Sequence, residues 1–419
     1  METYLRFPTS TIHVITTLLL SIILSGCGGS GGVGNLSSPT GSGDDSTLRA
    51  LGDTRSADFG THFLTPRVED IGRYSWISPF PSPGNTRHFA SLRPHVENLA
   101  MAYDGVLIGE TNPYYVPIEW KRAVANGWIM RDDNGELVPY IHSTDSDPRY
   151  VCDPAAPGYA EAWAEAVIAK AKAFNSDYIW IDGLNEKLRW IVDRDRIPAK
   201  YRTANDHNWQ AWQDALYAWL TVVVNKAHAA GLKVAANLNS NWTDGPMARK
   251  ANILDCVMYE FAFVGGVSSS THTYSAWQSA AQVDRMISQV QAVKDKKVLL
   301  ITRAIQGEPE FDKKIQFGVA GYLIARKEGD VLIIWDRIPD NSHPRWTQWH
   351  PVMELAQNLG QATSEPVKEG QLWMRHYRNG TVVLNPTGQT LPIPERARVN
   401  PSSPTSISAR TGTLIPTGQ

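Results

Sequence analysis

Cysteine is scarce in this chain, three residues in 419, and that scarcity excludes a scaffold held together by disulfides. No pair has CxxC spacing and no histidine-rich spacing accompanies them, so nothing suggests a structural zinc site. Cys152 and Cys256 lie in separate segments. They could pair outside the cytoplasm, but two free, buried thiols are the preferred reading. An excess of one charge is missing too: 40 basic residues face 42 acidic ones, for a net charge of -2. No basic surplus argues for nucleic acid. The apolar run from Ile12 to Leu24 is too short to span a bilayer comfortably. A Gly-rich phosphate loop is absent as well, which counts against a doubly wound nucleotide-binding sheet. No cofactor or metal is expected.

What the chain does contain begins with a processing signal. Arg6 and its polar neighbours precede the apolar run, which ends in Leu24-Ser25-Gly26-Cys27. That ending resembles the bacterial lipobox, whose cysteine becomes the lipidated first residue of the mature protein. The competing readings are an ordinary signal peptide with an incidental cysteine, or a membrane anchor. Residues 1–26 are therefore read as a lipoprotein signal peptide with Cys27 as the lipidation site, and the expected location is the bacterial cell envelope. Residues 27–66 begin Gly/Ser-rich and cannot bury a core; they are read as a flexible tether.

Fifteen Trp and fifteen Tyr are present. Most must pack the core, yet Trp also stacks on sugar rings while its N–H bonds a hydroxyl. The excess tilts expectation toward a carbohydrate partner.

From residue 67 to 365 strand-like runs alternate with helix-like stretches. The strand candidates are Arg73–Phe80, Gly105–Glu110, Leu137–Ile141, Tyr178–Asp182, Leu232–Leu238, Asp255–Glu260, Lys297–Thr302 and Asp330–Trp335. Among the helices, Asn205 to Ala230 carries an apolar face of Trp212, Leu216, Trp219 and Leu220 and ends at Gly231, a good C-cap. About eight such units argue for an α/β fold, one (β/α)8 TIM barrel. Residues 366–419 change character: Leu372–Pro386 reads as two strands around Asn379-Gly380, the signature of a hairpin in a small C-terminal β appendage packed on the barrel.

Two strand candidates end on a carboxylate: Tyr178-Ile-Trp-Ile-Asp182, followed by Gly183, and Cys256-Val-Met-Tyr-Glu260. A parallel barrel delivers such residues to one face. Glycoside cleavage needs two carboxyl groups flanking the scissile bond, one to protonate the leaving oxygen and one to attack carbon or activate water. Asp182 and Glu260 are the candidate catalytic pair. The competing roles are a turn residue for Asp182 and a strand-end ion pair for Glu260. Asp336 and Glu110 are placed at the same kind of edge. With them, Trp76, Asn237, Asn239, Trp242, Tyr259 and Arg303 form the candidate substrate-binding set, each of which could equally be packing. His142, Asp145 and Asp147 could hold a cation, but their spacing is that of no known metal loop.

In order, Trp128-Ile-Met-Arg-Asp132-Asp-Asn-Gly135-Glu, Asp153-Pro-Ala-Ala-Pro157, Tyr178–Gly183 and the Tyr377–Pro386 hairpin resemble hypothetical glycosyl hydrolase family fifteen. The resemblance spans residues 70 to 395 and implies a glycosidase-like barrel. Related barrel glycosidases use a strand-four Asp as nucleophile and a strand-six acid as acid/base. By analogy Asp182 takes the first role and Glu260 the second. A glycoside hydrolase is the leading expectation, and a catalytically silent carbohydrate-binding barrel at the cell surface is the alternative. The carboxyl–carboxyl distance separates them.

Overall fold

A computed structural model of the protein describes residues 57–62, 65–66, 72–78, 93, 96–110, 118–141, 143–144, 147–184, 187–202, 209–238, 242, 245–265, 276–337, 346–347, 349–398 and 402–417. Cys27 and the apolar run before it, and likewise His142, Asp145 and Asn239, lie outside these residues.

Eight parallel strands close a barrel. They are β1 (Asp58–His62), β2 (Trp76–Ser78), β3 (Asn98–Asp104), β4 (Tyr178–Asp182), β5 (Lys233–Asn237), β6 (Cys256–Tyr259), β7 (Lys297–Ile305) and β8 (Val331–Arg337), with β1 paired to both β2 and β8. The last five fall where the sequence places them, and β2 lies within the candidate Arg73–Phe80. β1 and β3 do not. β1 lies inside the segment assigned to the tether, so the barrel begins before residue 67. Asp58-Phe-Gly-Thr-His62 is short and half polar, and hides its strand character. Gly105–Glu110 is not a barrel strand: Leu107–Gly109 pairs antiparallel with Arg149–Val151 in an excursion between β3 and the next barrel helix. Leu137–Ile141 contributes only isolated bridges, to Arg131 and Tyr150.

The helices of the wall are α2 (Tyr159–Ala173), α3 (Gln210–Ala229), α4 (Gly245–Ile253), α5 (Ala280–Ala292) and α6 (Phe311–Ala325), after a short α1 (Trp120–Ala125) in the excursion. α3 buries Trp212, Leu216, Trp219 and Leu220, as its periodicity predicts. α5 opens on a capping box in which Ser279 and Gln282 satisfy each other's backbone amides.

Side chains alternate along each strand, and the two faces form separate clusters. Ile179, Ile181, Val257, Leu300 and Leu332 pack outward with the helices. Trp76, Ala100, Ala102, Tyr178, Trp180, Ala235, Met258 and Ile301 fill the lumen. Large and small residues interlock there, as close packing requires. Trp180 lies in register between Ala102 and Ala235.

After β8 come α7 (Pro351–Gln357) and a four-stranded antiparallel sheet: β9 (Val367–Glu369), β10 (Leu372–Tyr377), β11 (Gly380–Asn385) and β12 (Thr411–Pro416). The sheet lies against α6: a Cβ on Gly412 of β12 would stand 2.1 Å from that of Ala320. The hairpin expected at Asn379-Gly380 turns one residue earlier, at Arg378-Asn379, because Gly380 already pairs with Tyr377 and Pro416. Its missing side chain serves a close approach, with the Ile415 carbonyl oxygen 2.6 Å from where a Cβ would be.

Candidate active site

Two residues beyond the lumen-filling positions, the same alternation sets a layer of polar and aromatic side chains at the carboxyl ends of the strands. It consists of Asp104, Asp182, Asn237, Glu260, Arg303 and Trp335. Each continues the parity of a lumen residue on its own strand: Ala102, Trp180, Ala235, Met258, Ile301 and Ile333. The carboxyl ends of barrel strands are where ligand chemistry is built.

Asn237 ties the layer together. Its Nδ2 donates to Asp182 Oδ1 at 3.2 Å and to Glu260 Oε2 at 3.0 Å. Asp182 Oδ1 also accepts from the Gly183 N–H at 2.9 Å. Arg303 donates to Glu260 Oε1 and forms an ion pair with it. The guanidinium carbon stands 3.8 Å from the Trp335 ring centroid and 4.6 Å from that of Phe261, so two aromatic faces hold it in place. Among the described residues, Glu260 thus faces a fixed counter-charge and Asp182 has no ion-pair partner.

Asp104 is the third carboxylate, in register with Asp182 across the β3–β4 pair. Its Oδ1 accepts from the N–H groups of Val106 and Leu107 at 2.8 and 2.7 Å. The sequence carries the signal: Tyr103-Asp104-Gly105 repeats the form of Ile181-Asp182-Gly183. It escaped notice because Ala100 and Ala102 depress the strand propensity of β3.

Crowded acids disfavour multiple ionisation. Burial, then the charges of Glu260 and Asp104, push the Asp182 pKa up to about 7, against the opposing pull of the Gly183 and Asn237 donors. Burial raises Asp104 to about 6, while the Val106 and Leu107 amides and Arg149 pull the other way. Burial and like charge both favour the protonated form of Asp182.

Several expected binding residues sit elsewhere. Trp76 is fully buried in the lumen with its ring centroid 4.7 Å from that of Tyr178, so it packs the barrel instead of meeting a ligand. Tyr259 has the outward parity and packs edge-on to Trp242, itself 2% exposed, at 5.7 Å. Glu110 is exposed and follows the Leu107–Gly109 strand outside the barrel. Asp336 lies on β8, where its backbone pairs with Ala304 of β7. Asp147 forms an ion pair with Arg149 at 3.2 Å. Cys152 and Cys256 are free and buried, as preferred above.

The profile of the family described as "Hypothetical glycosyl hydrolase family 15" matches residues 102–381. The chain belongs to this family. Its match begins inside β3 and ends inside β11, taking in every residue of the polar layer. No curated protein matches the chain. Among solved structures it is similar to the glycoside hydrolase domain of PelA from Pseudomonas aeruginosa, at 14% identity over 70% of this chain and 99% of that one, with a TM-score of 0.44. It is also similar to the maltogenic alpha-amylase AmyB from Thermotoga neapolitana, at 10% identity over 80% and 87% of the two chains, with a TM-score of 0.44. Ega3 of Aspergillus fumigatus, in complex with galactosamine, matches at 9% identity over 68% and 91%, with a TM-score of 0.40.

Proposed function

We propose that this member of the family is an active glycoside hydrolase that cleaves a polysaccharide or oligosaccharide with Asp182 and Glu260. The observation that carries the reading is the Asn237 amide bonded to both carboxylates at once. The two N–H bonds of an amide diverge, so the acceptor oxygens stand roughly 5 Å apart, close to the about 5–5.5 Å of retaining glycosidases and short of the about 6.5–9.5 Å of inverting ones. The buried Asn237 Oδ1 has no partner among the described residues, which suits an acceptor for a sugar hydroxyl.

The resting charge pattern supports roles opposite to those implied by the resemblance. A nucleophile must be ionised and an acid must carry a proton. Glu260, paired with Arg303, attacks the anomeric carbon. As the glycosidic C–O bond breaks, Asp182 gives its proton to the leaving oxygen. The Asp182 carboxylate then takes a proton from water, whose oxygen attacks the anomeric carbon and expels Glu260. The same proposal puts the enzyme at the bacterial cell envelope, held by lipid on Cys27 of the Leu24–Cys27 motif.

A glycan panel scored for reducing-sugar release tests the activity. On the glycan that is cleaved, Asp182→Asn and Glu260→Gln each lower turnover by several orders of magnitude. Azide separates the roles. With Glu260→Ala it gives a glycosyl azide of inverted configuration, and with Asp182→Ala one of retained configuration. Near wild-type activity in both near-isosteric variants sinks the pair. A wild type that binds a glycan and releases no sugar leaves the silent barrel standing.

A further inference from the structure

Asp104 has no step in the reaction above, yet the fold goes to some length to hold it. β3 sets it opposite Asp182. The amides of Val106 and Leu107 bind Oδ1 from the turn that follows β3. Gly183, in the turn that follows β4, lies against the same carboxyl: a Cβ there would stand 2.5 Å from Asp104 Oδ1, and its φ of 75° disfavours any side chain. Asp104 is therefore fixed at the shoulder of Asp182 by both turns.

Other groups face these two acids. Glu260 and Asn237 face Asp182, and Arg303 pairs with Glu260. Arg149, from the excursion, opposes the charge of Asp104. Tyr159 of α2 and Cys152 also face Asp104, and burial raises both of their pKa values, so they stay neutral. The two amides favour the charged form of Asp104.

We propose that Asp104 is a positioning residue of the carboxylate pair: its fixed negative charge holds the proton of the site on Asp182 and leaves the charge of the pair on Glu260, beside Arg303. Asp104 has two backbone N–H donors and faces Arg149, whereas Asp182 faces Glu260, so of the two aspartates Asp104 is the better placed to carry the charge. Its role in catalysis rests on the proposed hydrolase reading, but its electrostatic effect can be read without substrate.

The experiment is a 13C carboxyl NMR titration of aspartate-labelled protein, with the Asp182 resonance identified by its loss in Asp182→Asn. Asp104→Asn keeps an oxygen to accept the two amide bonds and removes the charge. It is expected to lower the Asp182 midpoint by about one pH unit, the size of shift that a neighbouring charge produces. Asp104→Ser removes the same charge from a smaller side chain and is expected to lower the midpoint as well. On a cleaved glycan the alkaline limb of kcat/KM moves with the midpoint in each variant, because the acid must stay protonated. An unchanged midpoint overturns the proposal. Should Asp104→Asn fail to fold, Asp104→Ser decides alone: a downward shift supports the role and no shift overturns it. Shifted midpoints in a protein that cleaves nothing uphold the electrostatic coupling while the hydrolase reading fails.

Discussion

Asp182 shows how burial and neighbours turn an ordinary acid into a proton store. Its folded pKa of about 7 lies above the ordinary 3.8. Below that lower value both folded and unfolded states carry the proton, and the folded state bears no charge penalty. As pH rises from about 4 towards 7 the unfolded chain releases its proton first, so stability falls across that window and stays lower above it. Asp104 adds the same sign over about 4 to 6. Asp182→Asn removes the larger of these losses and keeps acceptors for Gly183 and Asn237. The variant is therefore expected to exceed the wild type in stability by a margin that widens from pH 5 to pH 8, reaching about 1 kcal/mol. Denaturant unfolding at both pH values measures it, and an equal margin at both would mean that Asp182 is not the proton holder. At this scale Asp182 and Glu260 were legible because each ends an apolar run. Trp76 and Tyr259 were misread because residue type says nothing about which face of a strand a side chain takes.

Elements supply that missing information. Once one lumen residue of a strand is known, period two assigns the rest, and the polar layer follows by counting two from Trp180, Met258 or Ile301. Six strands were legible as apolar runs between helices. β1 and β3 were not, because Gly60 and the alanines of β3 lower local propensity, whereas the closed barrel requires small residues opposite Trp76 and Trp180. The β4 turn ties this register to the chemistry. Gly183→Ala forces a methyl against the Asp104 carboxyl at a positive φ. It is expected to cost about 1–3 kcal/mol and to push Asp104 away from Asp182. The loss of stability should come with a downward shift of the Asp182 midpoint. A destabilised variant whose midpoint matches the wild type would show that the turn does not set the distance between the two acids.

Across the whole molecule, the C-terminal sheet reads in sequence as an appendage, but its contacts make it part of the barrel wall. α6 is buried on nearly every side, with eleven of its residues buried, and a helix apolar all round needs cover on two faces. The barrel covers one and β10–β12 cover the other. Arg375 of β10 enters the C-terminal end of α6. Its Nη1 donates to the carbonyls of Leu323, Ile324 and Arg326, and its Nε to Ser364. Tyr377 adds a bond from its hydroxyl to Leu323 O at 2.6 Å. A buried cation on the last carbonyls of a helix satisfies groups that have no partner within the helix and opposes the negative end of its dipole. Such a chain of contacts could not be read from the sequence, where Arg375 is one polar residue in a hairpin. Arg375→Ala is expected to cost about 2–4 kcal/mol. Arg375→Lys should recover only part of this, because an ammonium keeps the charge but not the planar fork. The chain after α6 runs directly into β8, which carries Trp335 against Arg303, so the sheet and the candidate site should unfold together. Thermal unfolding of Arg375→Ala followed by circular dichroism and by tryptophan fluorescence is expected to give one coincident transition at lower temperature. Two separated transitions would show that the sheet is an independent unit resting on a barrel that stands without it.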